Sequence, residues 1–378
     1  MRVAIVTESF LPQINGVTNS VLRVLETLKQ KEHEAIFIAP SATTQKHLGF
    51  PVISTGAIPV LQFPVAIPRP AIDRALEDFQ PNVVHVAAPF LMGAQALSWA
   101  SRNDVPSVAI YQTDVAGYLA RYNLSFAKPI MERMLHSIHS QANVNLAPTP
   151  MGADYLRTLG IPGVGVWGRG VDADLFNPSH KSHPETLELK RQLAPNGELL
   201  IGFVGRLAAE KQVKRMAELF DIPGTSFVVV GDGPEREALE AQFAGKPATF
   251  LGAKKNLDLA RAYAALDVFV HFGTEETFGQ TIQEAQATGL PVVAPASGGP
   301  LHLIESGVNG ILVDHSIGSY RRAVEELVDA QRRESIGAAA LLAVAGKTWA
   351  ANNSQLLEWY RYASELNHEK TIAKFELA

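Results

Sequence analysis

Short apolar runs alternate along the chain with stretches whose apolar residues recur every three or four positions. This is the pattern of parallel sheets whose strands are joined by crossover helices. Arg2-Val-Ala-Ile-Val-Thr7 opens as a strand, and Val17, Val21, Val24, Leu25 and Leu28 then fall on one helical face. Further strands are predicted at 35–39, 83–87, 107–111, 144–147 and 164–167, which complete one doubly wound domain. A second series begins at Leu199-Leu-Ile-Gly-Phe-Val-Gly205, with a helix predicted from about Glu210 and a strand at Phe227–Val230. Strands near 248–251, 267–271, 291–294 and 311–313 follow. In the turn Gly231-Asp-Gly-Pro-Glu235, Pro234 suits a first helical position, where its missing N–H would be unpaired anyway. Residues 172–198, rich in Asp, Asn, Pro, His and Lys and without periodicity, read as a linker. The expected fold class is α/β, with two Rossmann-like domains, 1–171 and 199–348, facing across an interdomain cleft. Leu356, Leu357, Trp359, Tyr360 and Ala363 give a helix over 349–366 an apolar surface that is expected to pack back on the first domain. The tail after Leu366 reads as short, polar and frayed.

At 378 residues the chain is long enough for two cores, and 47% apolar with 19% charged residues is ordinary for a soluble α/β protein. Cysteine is absent, which excludes disulfides, thiolate metal sites and a cysteine nucleophile and suits a cytoplasmic enzyme. No apolar run approaches the roughly 18 residues needed to span a bilayer, so neither a signal peptide nor a membrane anchor is expected. The net charge of −5 is uneven: residues 1–170 carry 13 Lys/Arg against 11 Asp/Glu, leaving 20 against 27 for the rest, hence +2 and −7. That balance is too weak for nucleic acid but compatible with a first domain that touches an anionic membrane surface.

Ligands of open α/β sheets bind beyond the carboxyl ends of the strands, so the loops there carry the candidate chemistry. After the first strand comes Glu8-Ser-Phe-Leu-Pro-Gln-Ile-Asn-Gly16-Val, where Gly16 allows close backbone approach to a phosphate or simply makes a turn. After 199–205 comes Gly205-Arg206-Leu-Ala-Ala-Glu-Lys211. The planar fork of Arg206 and the point charge of Lys211 complement a diphosphate, and cations opening a helix would oppose its dipole unless an anion sat there. In Glu276-Thr-Phe-Gly-Gln-Thr-Ile-Gln-Glu284, a glycine lies between two carboxylates as a helical pattern begins. A helix end could hold an anion, and a carboxylate two turns in could chelate a ribose diol; a solvated acidic helix start fits the same residues.

Taken with Gly231-Asp-Gly-Pro-Glu, Ala265-Leu-Asp-Val-Phe-Val and Gly289-Leu-Pro-Val-Val-Ala-Pro, these motifs resemble the retaining GT-B glycosyltransferases, the group 1 glycosyl transferases, across essentially the whole chain. Phe10-Leu-Pro-Gln-Ile-Asn-Gly-Val-Thr-Asn-Ser-Val and Glu276-Thr-Phe-Gly-Gln-Thr-Ile-Gln-Glu-Ala are most similar to actinobacterial GDP-mannose-dependent α-mannosyltransferases of glycolipid and lipomannan synthesis, and to sulfoquinovosyl- and glucosyl-diacylglycerol synthases. The resemblance implies a nucleotide-sugar donor, GDP-mannose, in the second domain and a glycolipid acceptor in the first. It also implies a location on the inner face of the plasma membrane. By the same resemblance Arg206 and Lys211 would bind the diphosphate and Glu284 the ribose. Glu276 with Phe278, Gly279 and Gln280 would hold the sugar, and Gly16 would close over the phosphates. No cofactor and no metal is expected, since Arg206, Lys211 and a helix end worth roughly half a charge could meet the charge of the departing diphosphate.

One departure concerns a histidine that many family members carry after the strand at 107–111. Here Gln112-Thr-Asp114 stands instead; Gln112 can hydrogen-bond a sugar hydroxyl without titrating, and Asp114 suits either the site or a helix cap. Asp172-Ala-Asp174 reads as connector rather than metal site, His85 as a satisfied core residue, and His136 with His139 as a helical pair lacking a carboxylate at ligand spacing. On the acceptor side, the proline-broken apolar stretch 49–75 with Arg69 and Arg74, and the patch Tyr118–Lys128, suit either an interfacial surface or loop packing. Arg169 is a candidate for an acidic headgroup. Another nucleotide sugar or a soluble acceptor, a carboxylate-pair hydrolase, and a non-catalytic binding module are the competing functions.

Overall fold

The computed structural model describes residues 1–9, 16–40, 42–60, 63–66, 68–112 and 128–376. The chain divides into two compact units, Met1–Arg169 with Trp349–Ala378, and Gly170–Thr348.

In the first unit the strands are β1 (Arg2–Val6), β2 (Glu34–Ala39), β3 (Lys46–His47), β4 (Phe50–Ser54), β5 (Ala57–Val60), β6 (Phe63–Ala66), β7 (Val83–Val86), β8 (Ser107–Ile110), β9 (Val144–Ala147) and β10 (Val164–Val166). The main sheet runs β10-β9-β8-β7-β1-β2-β4-β3, and every pairing in it is parallel except that of β3 with β4. Alternate residues of a strand point to opposite faces, so both faces must be apolar. Val3, Ile5 and Phe37 accordingly pack with Val21, Leu25 and Leu28 of the helix Gly16–Gln30, while Ala4, Val6 and Ile38 pack with Met92 and Leu97 of the helix Leu91–Arg102. Within the stretch 49–75 predicted as a broken apolar segment, β4 joins the main sheet, β5 pairs antiparallel with β6, and a helix, Pro70–Phe79, begins.

The last helix, Trp349–Glu376, covers the first face with Leu356, Leu357, Tyr360 and Ala363. Its polar end does not fray after Leu366: Glu369, Lys370, Ala373, Lys374 and Glu376 are of types that favour the helix, which continues to Glu376. Tyr360 Oη and His85 Nδ1 lie 2.5 Å apart in the interior, and burial pushes the His85 pKa down to about 3. His139 is likewise buried, bonded at 2.7 Å through Nδ1 to Asn145 Oδ1, with its pKa near 4.

The second unit holds β11 (Leu199–Val204), β12 (Thr225–Val230), β13 (Ala248–Gly252), β14 (Val268–Val270), β15 (Val292–Pro295) and β16 (Ile311–Val313) in the order β13-β12-β11-β14-β15-β16, all parallel. Residues 172–198 are not a structureless linker. They contain a 3₁₀ segment, Pro178–Ser182, and a helix, Pro184–Leu193, with Pro at its start, and Leu189 and Leu193 pack on the core with Phe176. The two apolar contacts fall four residues apart, a pattern too short to stand out beside the charged residues around it.

Candidate active site

The loops after β11 and β12 are built against each other. A Cβ on Gly231 would lie 1.9 Å from the Gly205 carbonyl oxygen, and one on Gly233 2.3 Å from that of Leu207. Only glycine permits this approach, which is fixed by hydrogen bonds from Gly205 N to Val230 O at 3.0 Å, Leu207 N to Asp232 O at 2.9 Å and Glu235 N to Leu207 O at 2.9 Å. The last bond ties up the turn, so the helix here starts at Arg236 rather than at Pro234.

After Gly205 there is no α-helix from Glu210. Two 3₁₀ segments, Ala209–Lys211 and Val213–Leu219, meet at Gln212, whose φ of 50° breaks the run. Lys211 therefore stands at the end of a short turn, where a cation is favoured, and the expected dipole penalty does not arise.

Gly273 brings the acidic loop onto this turn: a Cβ there would lie 2.9 Å from the Glu210 carbonyl oxygen. Lys211 Nζ donates to Glu276 Oε2 at 2.5 Å, with the side chains 25% and 16% exposed. His271 Nε2 stands 3.8 Å from the same oxygen. Burial lowers the His271 pKa to about 4, against the pull of Glu276 and with the repulsion of Lys211. Arg206 is the looser cation, half exposed and 4.0 Å from Glu210.

Gly279, at a φ of 98°, precedes the helix Gln280–Ala287. Gln280 Nε2 donates to Gly170 O at 3.0 Å, and the Phe278 side chain is buried. The backbone between Thr274 and Phe278 is clamped by a segment that sequence inspection passed over, Ser297-Gly-Gly299. Gly299 N donates to Glu276 O at 2.6 Å and Ser297 Oγ to Thr274 O at 2.9 Å, while a Cβ on Gly299 would meet Phe278 O at 2.2 Å. Its one visible signal is a glycine pair just past a strand end.

Glu284 is set apart chemically from the Lys211–Glu276 pair, since its Oε2 accepts from Tyr263 Oη at 2.9 Å. Burial, and then the Glu284 charge, hold the Tyr263 phenol well above its ordinary pKa and so keep it a donor. If the roles implied by the family resemblance hold, Glu284→Gln weakens donor binding about 10- to 100-fold, the scale of a lost charged hydrogen bond, whereas Glu276→Gln slows turnover with the donor dissociation constant within about threefold. Calorimetric titration with nucleotide sugar beside steady-state kinetics checks this, and equal effects of the two changes would show a shared task.

In the first unit, Gly16 opens its helix, and a Cβ there would lie 2.6 Å from Arg169 Nη1. Arg169 Nη2 donates to Gln112 Oε1 at 3.2 Å, and Gln112 Nε2 donates to Ala87 O at 2.7 Å. Arg169 is 7% exposed and Gln112 5%, so Arg169 is not a surface residue waiting for a headgroup; it braces Gln112 and the start of the first helix. Glu8 accepts from Gly93 N at 3.0 Å at the start of the helix Leu91–Arg102, and burial pushes its pKa up to about 7 against these backbone bonds. Asp114, Phe10–Asn15 and Tyr118–Ala127 lie outside the described residues.

Asp172 Oδ1 accepts from Leu175 N at 3.1 Å, a local turn rather than a ligand geometry. Among the described residues no group of three or more His, Asp or Glu could hold a metal ion, and no helix is long and apolar enough to cross a membrane.

Two Rossmann-like units, each built on a largely parallel sheet, are the architecture of the GT-B glycosyltransferases. Residues 185–341 match the model for Glycosyl transferases group 1 and residues 14–175 that for Glycosyltransferase Family 4. The chain belongs to this glycosyltransferase family. It is 42% identical over 373 residues to a GDP-mannose-dependent alpha-mannosyltransferase of Corynebacterium glutamicum, covering 95% of this chain and 88% of that protein. An alpha-monoglucosyldiacylglycerol synthase of Acholeplasma laidlawii is 28% identical over 342 residues, 82% of this chain and 84% of that one. The sucrose-phosphate synthase of Thermosynechococcus elongatus shares the fold, with a TM-score of 0.77 at 20% identity over 96% of this chain and 98% of that chain.

Proposed function

We propose that this glycosyltransferase moves a mannosyl residue from GDP-mannose to a membrane glycolipid, with retention at the anomeric carbon and without a metal ion. The observation that carries the donor assignment is the likeness to the Corynebacterium enzyme along nearly the whole chain. The diacylglycerol product named for the Acholeplasma relative supports a lipid acceptor.

In this reading Lys211 and Arg206 bind the diphosphate, Glu284 the ribose, and Glu276 with the Phe278–Gly279 backbone and Gln280 the sugar. Gln112 and Asp114 are the catalytic candidates of the loop close to the reacting sugar, where Gln112 hydrogen-bonds a sugar hydroxyl without titrating. The bond from C1 to the diphosphate oxygen breaks as the acceptor oxygen approaches C1 from the same face. The acceptor's proton passes to the departing phosphate oxygen. Lys211 and Arg206 meet the charge that develops there, the task a divalent ion performs elsewhere. The first unit receives the lipid from the inner leaflet of the plasma membrane, and the +2 balance of residues 1–170 supports that peripheral contact.

Labelled GDP-mannose and UDP-glucose, each incubated with enzyme and lipid extract in the presence of chelator, test the proposal. Label from GDP-mannose should enter the organic phase in an α-mannosidase-sensitive product. Label entering only from UDP-glucose, only as free sugar in water, or only without chelator would overturn the donor, transfer or metal-free part respectively.

A further inference from the structure

The donor site as described leaves one buried group without a task. His271 follows β14 directly and is 1% exposed; the Gly273 backbone lies against its ring, but no side chain bonds either ring nitrogen. Interior polar groups are nearly always fully paired, and an apolar side chain would fill such a position without polar atoms to satisfy, so an imidazole bonded by no side chain here calls for a reason. Its surroundings offer one. Glu276 Oε2, 3.8 Å from His271 Nε2, is the oxygen that Lys211 Nζ holds at 2.5 Å. The backbone on the other side is pinned, because Tyr320 Oη donates to His271 O at 3.1 Å, and Arg215 lies over the Tyr320 ring at 4.8 Å.

We infer that His271 is a positioning residue that takes over Oε2 of Glu276 when the donor diphosphate draws Lys211 away. The inference rests on the assignment of Lys211 to the diphosphate and Glu276 to the sugar. A partly buried carboxylate that loses its cation tends to take up a proton or turn toward water, and either change would spoil its hold on a sugar hydroxyl. A neutral imidazole donating through Nε2 keeps the carboxylate ionised and aimed, and it does so without adding a second positive charge beside Lys211. Closing from 3.8 Å to an ordinary hydrogen bond takes roughly 1 Å, within reach of a side-chain adjustment. The arrangement is a relay of partners: one carboxylate oxygen is served by lysine before the donor arrives and by histidine afterwards.

His271→Phe and His271→Gln separate this role from simple packing, each measured by thermal melting, nucleotide-sugar affinity and turnover. The donor is whichever nucleotide sugar the unaltered enzyme consumes, so a wrong donor assignment shows itself in that enzyme before any variant is made. His271→Phe is expected to lower kcat about 10- to 100-fold with donor affinity within about threefold, and His271→Gln, which keeps an N–H, to recover most of that loss. In a Glu276→Gln background the Phe change should cost no further activity. The inference fails if His271→Phe retains kcat, if Gln recovers no more activity than Phe, or if the Phe loss appears in full on top of Glu276→Gln. Should the Phe protein not fold, His271→Leu takes its place in both backgrounds: a kcat deficit that disappears with Glu276→Gln supports the relay, and one that persists in full, or no deficit at all, overturns it.

Discussion

Lys211→Met is expected to lower kcat for sugar transfer by about 100- to 1000-fold, the scale seen when a preorganised group facing transition-state charge is removed. Two losses coincide in this variant. On the proposed assignment the departing diphosphate loses a point charge, and Glu276, only 16% exposed, loses the cation that holds its Oε2 at 2.5 Å. Lys211→Arg should not restore the rate, because a planar fork cannot replace a compact ammonium wedged between a carboxylate and the neighbouring turn. Arg206→Ala should act mainly on donor affinity and by a smaller factor, since that guanidinium is half exposed and 4.0 Å from Glu210. Rates at saturating donor settle the point, and a Lys211→Met enzyme within threefold of the unaltered kcat would show that Lys211 has no part in the chemistry.

The second large effect is a loss of stability in mild acid. His85, His139 and His271 are buried with pKa values held down to about 3, 4 and 4. Each therefore takes up a proton on unfolding when the pH is below the ordinary value near 6.5. The stability they confer is complete above that pH and is lost as the pH falls toward their folded values. From pH 7 to pH 5 each costs about 2 kcal/mol. Glu8 works the other way. With a folded pKa near 7 it binds its proton more tightly in the folded state, so it adds stability as the pH falls through 7 and offsets one histidine, again by about 2 kcal/mol. The first unit, with His85, His139 and Glu8, and the second, with His271, should thus each lose about 2 kcal/mol between pH 7 and pH 5. Urea unfolding at stepped pH measures this. His139→Asn should flatten the acid slope and Glu8→Gln should steepen it; a slope indifferent to both would mean that these groups are not buried as described.

The strand pattern was readable because a parallel strand covered on both faces is a nearly unbroken apolar run, as in Leu199–Val204 and Phe227–Val230. The segment after Gly205 was misread for a physical reason. Its apolar residues Val213, Met216 and Leu219 recur every three positions, which suits an α-helix and a 3₁₀ run alike, and only the positive φ at Gln212 separates the two. In the site, charged groups were legible by type, as with Lys211, Glu276 and Glu284, but their pairing was not. Lys211 and Glu276 meet only because Gly273 lets two backbones approach, a contact with no side chain to announce it. Tyr263 sits in an ordinary helical pattern and gains meaning from Glu284 in three dimensions alone. The brace of Arg169 on Gln112 spans strands distant in sequence and was equally invisible.

The entry and exit of the second unit form a single doorway. Gly170 and Thr348 bound that unit, Val171 bridges Thr348, and Val171 N donates to Lys347 O at 2.9 Å. The second unit is therefore an insertion whose two ends lie side by side, spliced into a host fold that resumes with the helix at Trp349. Such a module can be exchanged by joining at two adjacent backbone points without rethreading either sheet. On the proposed assignment of the donor to this unit, lineages that swap the piece between these points would acquire a new donor while keeping the host sheet and its closing helix intact.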